Sequence, residues 1–258
     1  MSIREEIDTG AAAVRMISRP RLWEIIISSV AWFFGMTAFG LLGSLFLCVS
    51  RFVDPKHYDG VVKAACRLIL RCTFISVQVR GRAHVRPERT YLFVGNHVNI
   101  FDVFVFYGYI PNTFRGVELD EHFQWFFYGP IIRRLGMISI SQTSGRNALK
   151  SLKRAQEALS SGTSILILPE GGRTMDGNLQ PFKRGSFLLA KTARADIVPV
   201  AMVGAFEIYR KGGGIIRPGR MTLRFGEPVE FQSIQHMDAS QIEQFIRGKI
   251  LALIDAGK

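Results

Sequence analysis

Cysteine is scarce in this chain. Cys48, Cys66 and Cys72 are the three in 258 residues, and all sit in apolar surroundings. An odd number without CxxC or Cys/His spacing excludes a disulfide framework and a thiolate metal site, and argues for reduced structural thiols. The five histidines, His57, His84, His97, His122 and His236, are scattered, so no metal site is expected. Acidic residues are few as well: 21 against 33 Lys and Arg, for a formal net charge of +12. Such a balance points to an anionic partner, whether nucleic acid, anionic lipid or a phosphorylated substrate. Recognised nucleic-acid motifs are missing, which disfavours the first. A Gly-x-Ser-x-Gly elbow and a Walker loop are also missing, which sets aside a serine hydrolase and a P-loop NTPase. The first twenty residues carry Glu5, Glu6 and Asp8 and have no apolar run, so no cleavable signal peptide is expected.

The most extended absence is of charge. From Ile25 to Ser50 there is no charged residue. As a helix this stretch reaches roughly 39 Å, enough to cross a bilayer core. Arg19, Arg21 and Arg51 flank both ends, so the positive-inside rule sets no orientation. Gly35, Gly40 and Gly43 permit close packing or a bend, and a re-entrant or interfacial segment stays open beside a spanning one. After a turn at Asp54-Pro55, the residues Asp59, Lys63, Arg67 and Arg71 recur every four and share one helix face. That face suits either an anionic membrane interface or a core-packing helix with a solvated edge.

Beyond Thr73 short apolar runs alternate with helical periodicity. Strands are expected at Phe74–Val79, Tyr91–Val94, Met137–Ile140, Ser164–Leu168, Ile197–Val203 and Met221–Phe225. Helices are expected at Asn147–Ser160, Gly185–Thr192 and Ser240–Ala256. The fold class is α/β: a mixed, largely parallel sheet flanked by helices, with an N-terminal membrane-associated helical segment. The division is residues 1–73 for membrane-docking helices and 74–258 for the α/β domain. Gly212-Gly213-Gly214, bracketed by Arg210, Lys211, Arg217 and Arg220, reads as a flexible basic loop.

Two motifs carry chemistry. Asn96-His97 follows one strand and Asp102 comes five residues after the histidine. On a regular helix that spacing separates them by about 140°. They meet only if His97 lies in a turn whose following helix begins near Asp102. There the carboxylate holds one ring nitrogen and leaves the other to take a proton from an attacking hydroxyl. The second motif, Leu168-Pro169-Glu170-Gly171-Gly172-Arg173-Thr174, follows another buried strand. Its glycines let backbone N–H groups approach a ligand, and Arg173 offers a fork for phosphate oxygens. Glu170 is placed to orient Arg173 or to bond a substrate hydroxyl. Lys183 and Arg184 precede a helix N-terminus that adds to anion attraction.

In order, Asn96-His97 to Asp102, Gly136–Ile140, Leu168–Thr174, Phe182–Gly185 and Ile197–Ala201 resemble the conserved blocks of the 1-acylglycerol-3-phosphate acyltransferase (lysophosphatidate acyltransferase) family of glycerolipid acyltransferases. The similarity runs over residues 75–230. It implies that His97 is general base and Asp102 its orienter. It implies that Glu170, Gly171 and Arg173 bind the glycerol phosphate, Gly171 through backbone donors, with Lys183 and Arg146 as further substrate-binding candidates. It also implies a membrane-docking N-terminal part and an acyltransferase domain. The acyl donor is acyl-CoA or acyl-ACP as co-substrate, with no cofactor and no metal. Partners are the lysophospholipid acceptor and anionic membrane lipid, and the location is the cell inner membrane with the site facing the cytoplasm. Three departures keep other acceptors open: Gln142 where an arginine is frequent, Gly172 for threonine, and Val117 where a lysine is common. Another lysolipid, such as a lyso-ornithine lipid, or a non-catalytic lipid-binding relative are the alternatives. The acyl chain is expected in an apolar tunnel; Phe101, Phe104, Phe106, Tyr107, Phe123, Trp125, Phe126 and Phe127 are either its lining or simply core and membrane-contact surface.

Overall fold

A computed structural model describes residues 20–53, 55–141, 145–183 and 185–257, without the side chains of 55–56, 145–149 and 185. The uncharged stretch forms one helix, α1 (Leu22–Val49), whose 28 residues rise roughly 42 Å. Glu24 caps its start by accepting the Arg21 N–H at 2.8 Å. One stripe, through Ser28, Trp32, Gly35, Phe39, Gly43 and Phe46, turns toward the domain at helical spacing. The opposite side stays apolar and exposed, with Phe33 at 66% and Leu41 at 68%.

That inward stripe is fixed by specific contacts. The Trp32 ring lies 6.4 Å from Phe101 and 6.0 Å from Tyr209, and its indole N–H donates to Gly214 O at 2.8 Å. Ser28 Oγ accepts the Ile216 N–H at 2.9 Å, and Glu24 Oε1 pairs with Arg217 Nε at 2.8 Å. The Gly212–Gly214 segment, expected to be a flexible loop, is therefore tied to α1 at both sides. Further along, Phe39 meets Phe104 and Phe127 edge-on, and Phe46 meets Tyr58.

The helix α2 (Pro55–Cys72) matches neither expected arrangement: its charged face is packed, and Val61 and Leu68 are exposed at 69% and 46%. Its charged face points into the protein. Lys63 Nζ donates to the carbonyls of Pro111 and Asn112 at 2.9 and 3.0 Å and pairs with Asp59 at 2.7 Å. Arg67 Nη1 donates to Gly108 O at 2.8 Å. These carbonyls lie at and just past the end of α3 (Asp102–Tyr109), where a cation satisfies orphan acceptors and opposes the helix dipole. Only Arg71 of the four is exposed.

The strands are β1 (Ile75–Arg80), β2 (Leu92–Gly95), β3 (Phe114–Leu119), β4 (Ile138–Ile140), β5 (Ser164–Ile167), β6 (Ile197–Val203) and β7 (Gly219–Phe225). They form one seven-stranded sheet in the order β1-β7-β6-β2-β5-β3-β4. β6, β2, β5, β3 and β4 run parallel; β7 is antiparallel to β6 and parallel to β1. Side chains alternate between two cores, as a sheet covered on both faces requires. Tyr91, Phe93, Leu166, Val198 and Val200 face the layer of α1, α2, α3 and α4 (Tyr128–Arg134). Leu92, Val94, Ile165, Ile167 and Ile197 face α5 (Gly145–Ser160), α6 (Gly185–Ala193) and α7 (Ala239–Asp255). A side chain of this kind, fully buried, contributes about 1.5–3 kcal/mol.

Two glycines separate close packing from backbone freedom. A Cβ on Gly35 would run into Thr73 Cγ2, and that side chain is held by its hydroxyl to Leu70 O at 2.8 Å. Gly60, in α2, has nothing within 4 Å. Gly35→Ala is expected to destabilise by about 1–3 kcal/mol through overpacking. Gly60→Ala is expected to stabilise by about 0.5–1 kcal/mol through helix propensity. Thermal melts of the two variants check this; equal shifts would mean that α1 does not press on the α2–β1 junction.

Candidate active site

The site lies at the carboxyl ends of β2 and β5. From β2 the chain crosses through α3 on one face; from β5 it crosses through α6 on the other. Such a divergence leaves a crevice at the strand ends, where ligands of open α/β sheets bind.

His97 sits in the turn after β2, and Asp102 opens α3, the arrangement that their spacing required. His97 Nδ1 lies 2.8 Å from Asp102 Oδ2. The same oxygen accepts the N–H groups of Val98 at 2.6 Å and Asn99 at 3.0 Å. An oxygen already accepting twice makes Nδ1 the donor, so the free ring nitrogen, Nε2, carries the lone pair. Asp102 is 1% exposed and the His97 side chain 27%, so the carboxylate is sealed and the ring reaches solvent.

Asparagines shape the turn. Asn96 exchanges two hydrogen bonds with the Met202 backbone, donating to its oxygen at 3.0 Å and accepting its N–H at 2.7 Å. This side chain replaces a strand residue just where β2 leaves the ladder. Asn99 donates to Ala205 O at 2.7 Å and accepts the Phe101 N–H at 2.8 Å.

The second motif folds onto the first. Glu170 Oε1 accepts the His97 N–H at 2.5 Å, and Oε2 accepts the Gln180 N–H at 2.7 Å. The Thr174 N–H donates to His97 O at 3.0 Å. Both Glu170 oxygens thus hold backbone, neither holds Arg173, and the residue joins the two motifs. Burial pushes its carboxyl up to about 7, against the opposing pull of those two N–H groups. Gly171 has φ +68°, and its N–H donates to Leu168 O at 3.2 Å, so this amide is engaged within the loop. A Cβ there would collide with the Lys183 side chain, which lies across the Gly171 backbone. Gly172 has nothing within 4 Å of its Cβ position and leaves the outer face of the loop open. Arg173 is half-buried and makes no hydrogen bond or ion pair among the described residues. Arg184, Gln142 and the Arg146 side chain lie outside the described residues.

The sequence reading passed over one cluster on the same edge. His122 follows β3 in a short 3-10 turn, and its Nδ1 lies 2.7 Å from Glu118 Oε2. The Tyr128 hydroxyl donates to Glu118 Oε1 at 3.1 Å, and the Trp125 ring packs 4.7 Å from the His122 ring. The Glu118 hydrogen bond raises the His122 pKa, while the nearby Arg173 charge opposes protonation. The four-residue spacing of Glu118 and His122 was the available signal, but it reads as an ordinary helical pair until the turn is known.

An apolar groove opens between α1, α2, α3 and α4, reaching α3 at Val103 and Phe104. Phe39, Phe46, Val62, Phe104, Tyr107 and Tyr128 are among its walls. Of the aromatic stretches singled out in the sequence, Phe104 and Tyr107 line this groove. Phe101 and Phe106 belong to the core, and Phe126 is 96% exposed.

The fold and the His–Asp site define an α/β domain equipped to activate a hydroxyl. Residues 76–203, just under half of the chain, match the Acyltransferase family model. A Mus musculus protein named 1-acyl-sn-glycerol-3-phosphate acyltransferase alpha is 28% identical over 181 residues, 69% of this chain and 64% of the relative. The 1-acyl-sn-glycerol-3-phosphate acyltransferase of Limnanthes douglasii is 28% identical over 156 residues, 60% and 55% of the two chains. These matches span about half to two thirds of the relatives' lengths. In fold, the chain is similar to the crystal structure of the 1-acyl-sn-glycerophosphate acyltransferase PlsC of Thermotoga maritima. The TM-score is 0.76 at 21% identity, over 89% of this chain and 93% of that one.

The raised Glu170 pKa has a testable sign. The carboxyl ordinarily titrates at 4.5 and here at about 7. The folded state therefore holds this proton more tightly. The stabilisation is complete below 4.5 and is lost as the pH rises through 7. Glu170→Gln keeps one acceptor and sets an amide donor against the other backbone N–H, costing about 1–3 kcal/mol. The melting-temperature advantage of wild type over Glu170→Gln is expected to shrink with rising pH across that window. A constant difference would mean that Glu170 titrates as an ordinary carboxyl.

Proposed function

We propose that this protein is a 1-acylglycerol-3-phosphate O-acyltransferase. The reading rests on one observation above all: the His97–Asp102 pair and Arg173, which pairs with none of the described residues, lie in the loops at one sheet edge, within the stretch that matches the acyltransferase model. The names of the relatives supply the acceptor class.

The sn-2 hydroxyl of the acceptor approaches His97 Nε2, its phosphate held by Arg173 and by Lys183 above Gly171. As the oxygen attacks the thioester carbonyl of acyl-CoA or acyl-ACP, its proton passes to Nε2. Asp102 keeps the tautomer and steadies the imidazolium. The tetrahedral oxyanion collapses, the carbon–sulfur bond breaks, and the leaving thiolate takes the proton from His97. The products are phosphatidic acid and the free thiol carrier, so the step belongs to phospholipid biosynthesis. Glu170 acts as a brace: it fixes the His97 backbone and the loop bearing Arg173.

The groove between α1 and α4 receives acyl chain, and the outward apolar face of α1 lies in the membrane. α1 is long and apolar enough to span. Its inward stripe, docked on the domain along its length, favours a helix embedded in one leaflet. A site facing the cytoplasm, on the inner membrane, meets either soluble acyl carrier there.

Purified protein in detergent, given acyl thioester and a panel of lysolipids, tests the reaction. Acylation of lysophosphatidate is expected, with His97→Ala inactive and Asp102→Asn reduced by about 10³–10⁴-fold through the wrong tautomer. Activity confined to a different lysolipid would overturn the acceptor, and activity surviving in folded His97→Ala would overturn the mechanism. Phe104→Ala enlarges the groove and is expected to shift preference toward longer acyl chains. An unchanged chain-length profile would show that the acyl group lies elsewhere.

A further inference from the structure

A second basic site lies apart from His97, where α1 begins. A shallow groove is lined by Pro20, Arg210, Gly213, Ile215 and Arg217. Arg210 lies over the Phe206 ring at 5.0 Å, and its Nε is buried with no hydrogen-bond partner among the described residues. A buried guanidinium donor without an acceptor is rare and calls for one. Arg217 Nε is taken by Glu24, which fixes that side chain in the wall and occupies the acid of the first helical turn. Arg21, Lys211 and Arg220 stand exposed nearby. Immediately along α1, Leu22, Trp23 and Ile26 are exposed at 74%, 54% and 55%. A tryptophan flanked by arginine at the head of an apolar face marks the depth where lipid head groups lie.

We propose that the groove between the start of α1 and the Arg210–Arg217 loop is a binding site for the phosphate of an anionic membrane lipid, gripped by the Arg210 fork beside Arg217. The lipid's tails would lie along the outward face of α1. This rests on the membrane association proposed above. The site also touches the acyltransferase machinery: Phe206, beneath Arg210, packs so closely on the loop after β5 that a Cβ on Gly177 would meet its ring at 3.0 Å. Ala205, next in line, holds Asn99 of the His97 turn. A lipid in the groove therefore steadies the backbone next to the reaction site.

Flotation of the full chain with vesicles of phosphatidylcholine, alone and with phosphatidylglycerol, is the test. Wild type is expected to favour the anionic vesicles. Arg210→Lys keeps the charge and loses the fork; it is expected to lose about tenfold in anionic-vesicle affinity, and Arg210→Gln at least as much. Lys211→Gln, outside the groove, is expected to lose about fivefold or less. Binding to phosphatidylcholine alone is expected to be equal in all four, which reports an intact fold and apolar insertion. Arg210→Lys indistinguishable from wild type on anionic vesicles would reduce the effect to diffuse charge and overturn the site. Coenzyme A that, without vesicles, raises the melting temperature of wild type but not of Arg210→Lys would assign the groove to the donor's phosphates and overturn the lipid. Failure of wild type to bind either vesicle would overturn the membrane reading, and this proposal with it.

Discussion

One oxygen atom organises the reaction site. Asp102 Oδ2 accepts from a ring nitrogen and two consecutive backbone amides, while Oδ1 is buried without a partner among the described residues. All the hydrogen bonding of this carboxylate is thus on the side of His97. The two amides belong to the turn that delivers the ring, so side chain and backbone are positioned by one acceptor at the head of a helix, where negative charge is favoured. A substitution that keeps shape but not acceptor character at Asp102 disturbs the ring tautomer and the turn together. Glu170 repeats this logic one strand away, with one oxygen on the His97 backbone and the other on the Gln180 backbone in its own loop. Asn96 and Asn99 bind the same turn to β6 and the segment after it. Four polar side chains therefore lock the ends of β2, β5 and β6 into one rigid edge, while His97 Nε2 and the Arg173 guanidinium have no hydrogen-bond partner among the described residues.

How much of this was legible in the sequence follows from the range of each interaction. His97 and Asp102 are five apart, so a turn and a helix start were enough to infer their meeting. The parallel core strands were legible because burial on both faces leaves continuous apolar runs. β3 was not, because Arg115, Gly116 and Glu118 interrupt its six residues and only Phe114 and Gly116 are buried, which dilutes the apolar signal. Glu170 was assigned to ligand or to Arg173, since no local rule reveals that its partners are backbone amides 73 and 10 residues away. The Gly212–Gly214 loop has the composition of a flexible segment, and its anchor, Trp32, is 182 residues distant from Gly214.

Charge on α2 makes the same point. Lys63 and Arg67 have the spacing of a solvated or membrane-facing stripe, yet they lie against the carbonyls at the end of α3. The helix that begins with the carboxylate of the site ends with two cations borrowed from α2. Both dipole ends of α3 are thereby neutralised by side chains, which holds a helix of only eight residues firmly enough to serve as a platform for His97.

α1 is apolar on two sides for two reasons. Its inner stripe has specific partners: small residues where the backbone comes close, aromatics where gaps are wide, and Ser28 and Trp32 as hydrogen-bonding points. Its outer face, which carries Trp23, Phe33, Phe34 and Leu41, remains exposed. A soluble core helix would bury both sides, and an isolated spanning helix would dock neither. A helix that docks one side and exposes the other leaves the apolar groove between the domain and an open apolar face. The proposed amphiphilic acceptor would use that position: its acyl chain would stay among apolar side chains while its hydroxyl and phosphate reach the polar edge of the sheet.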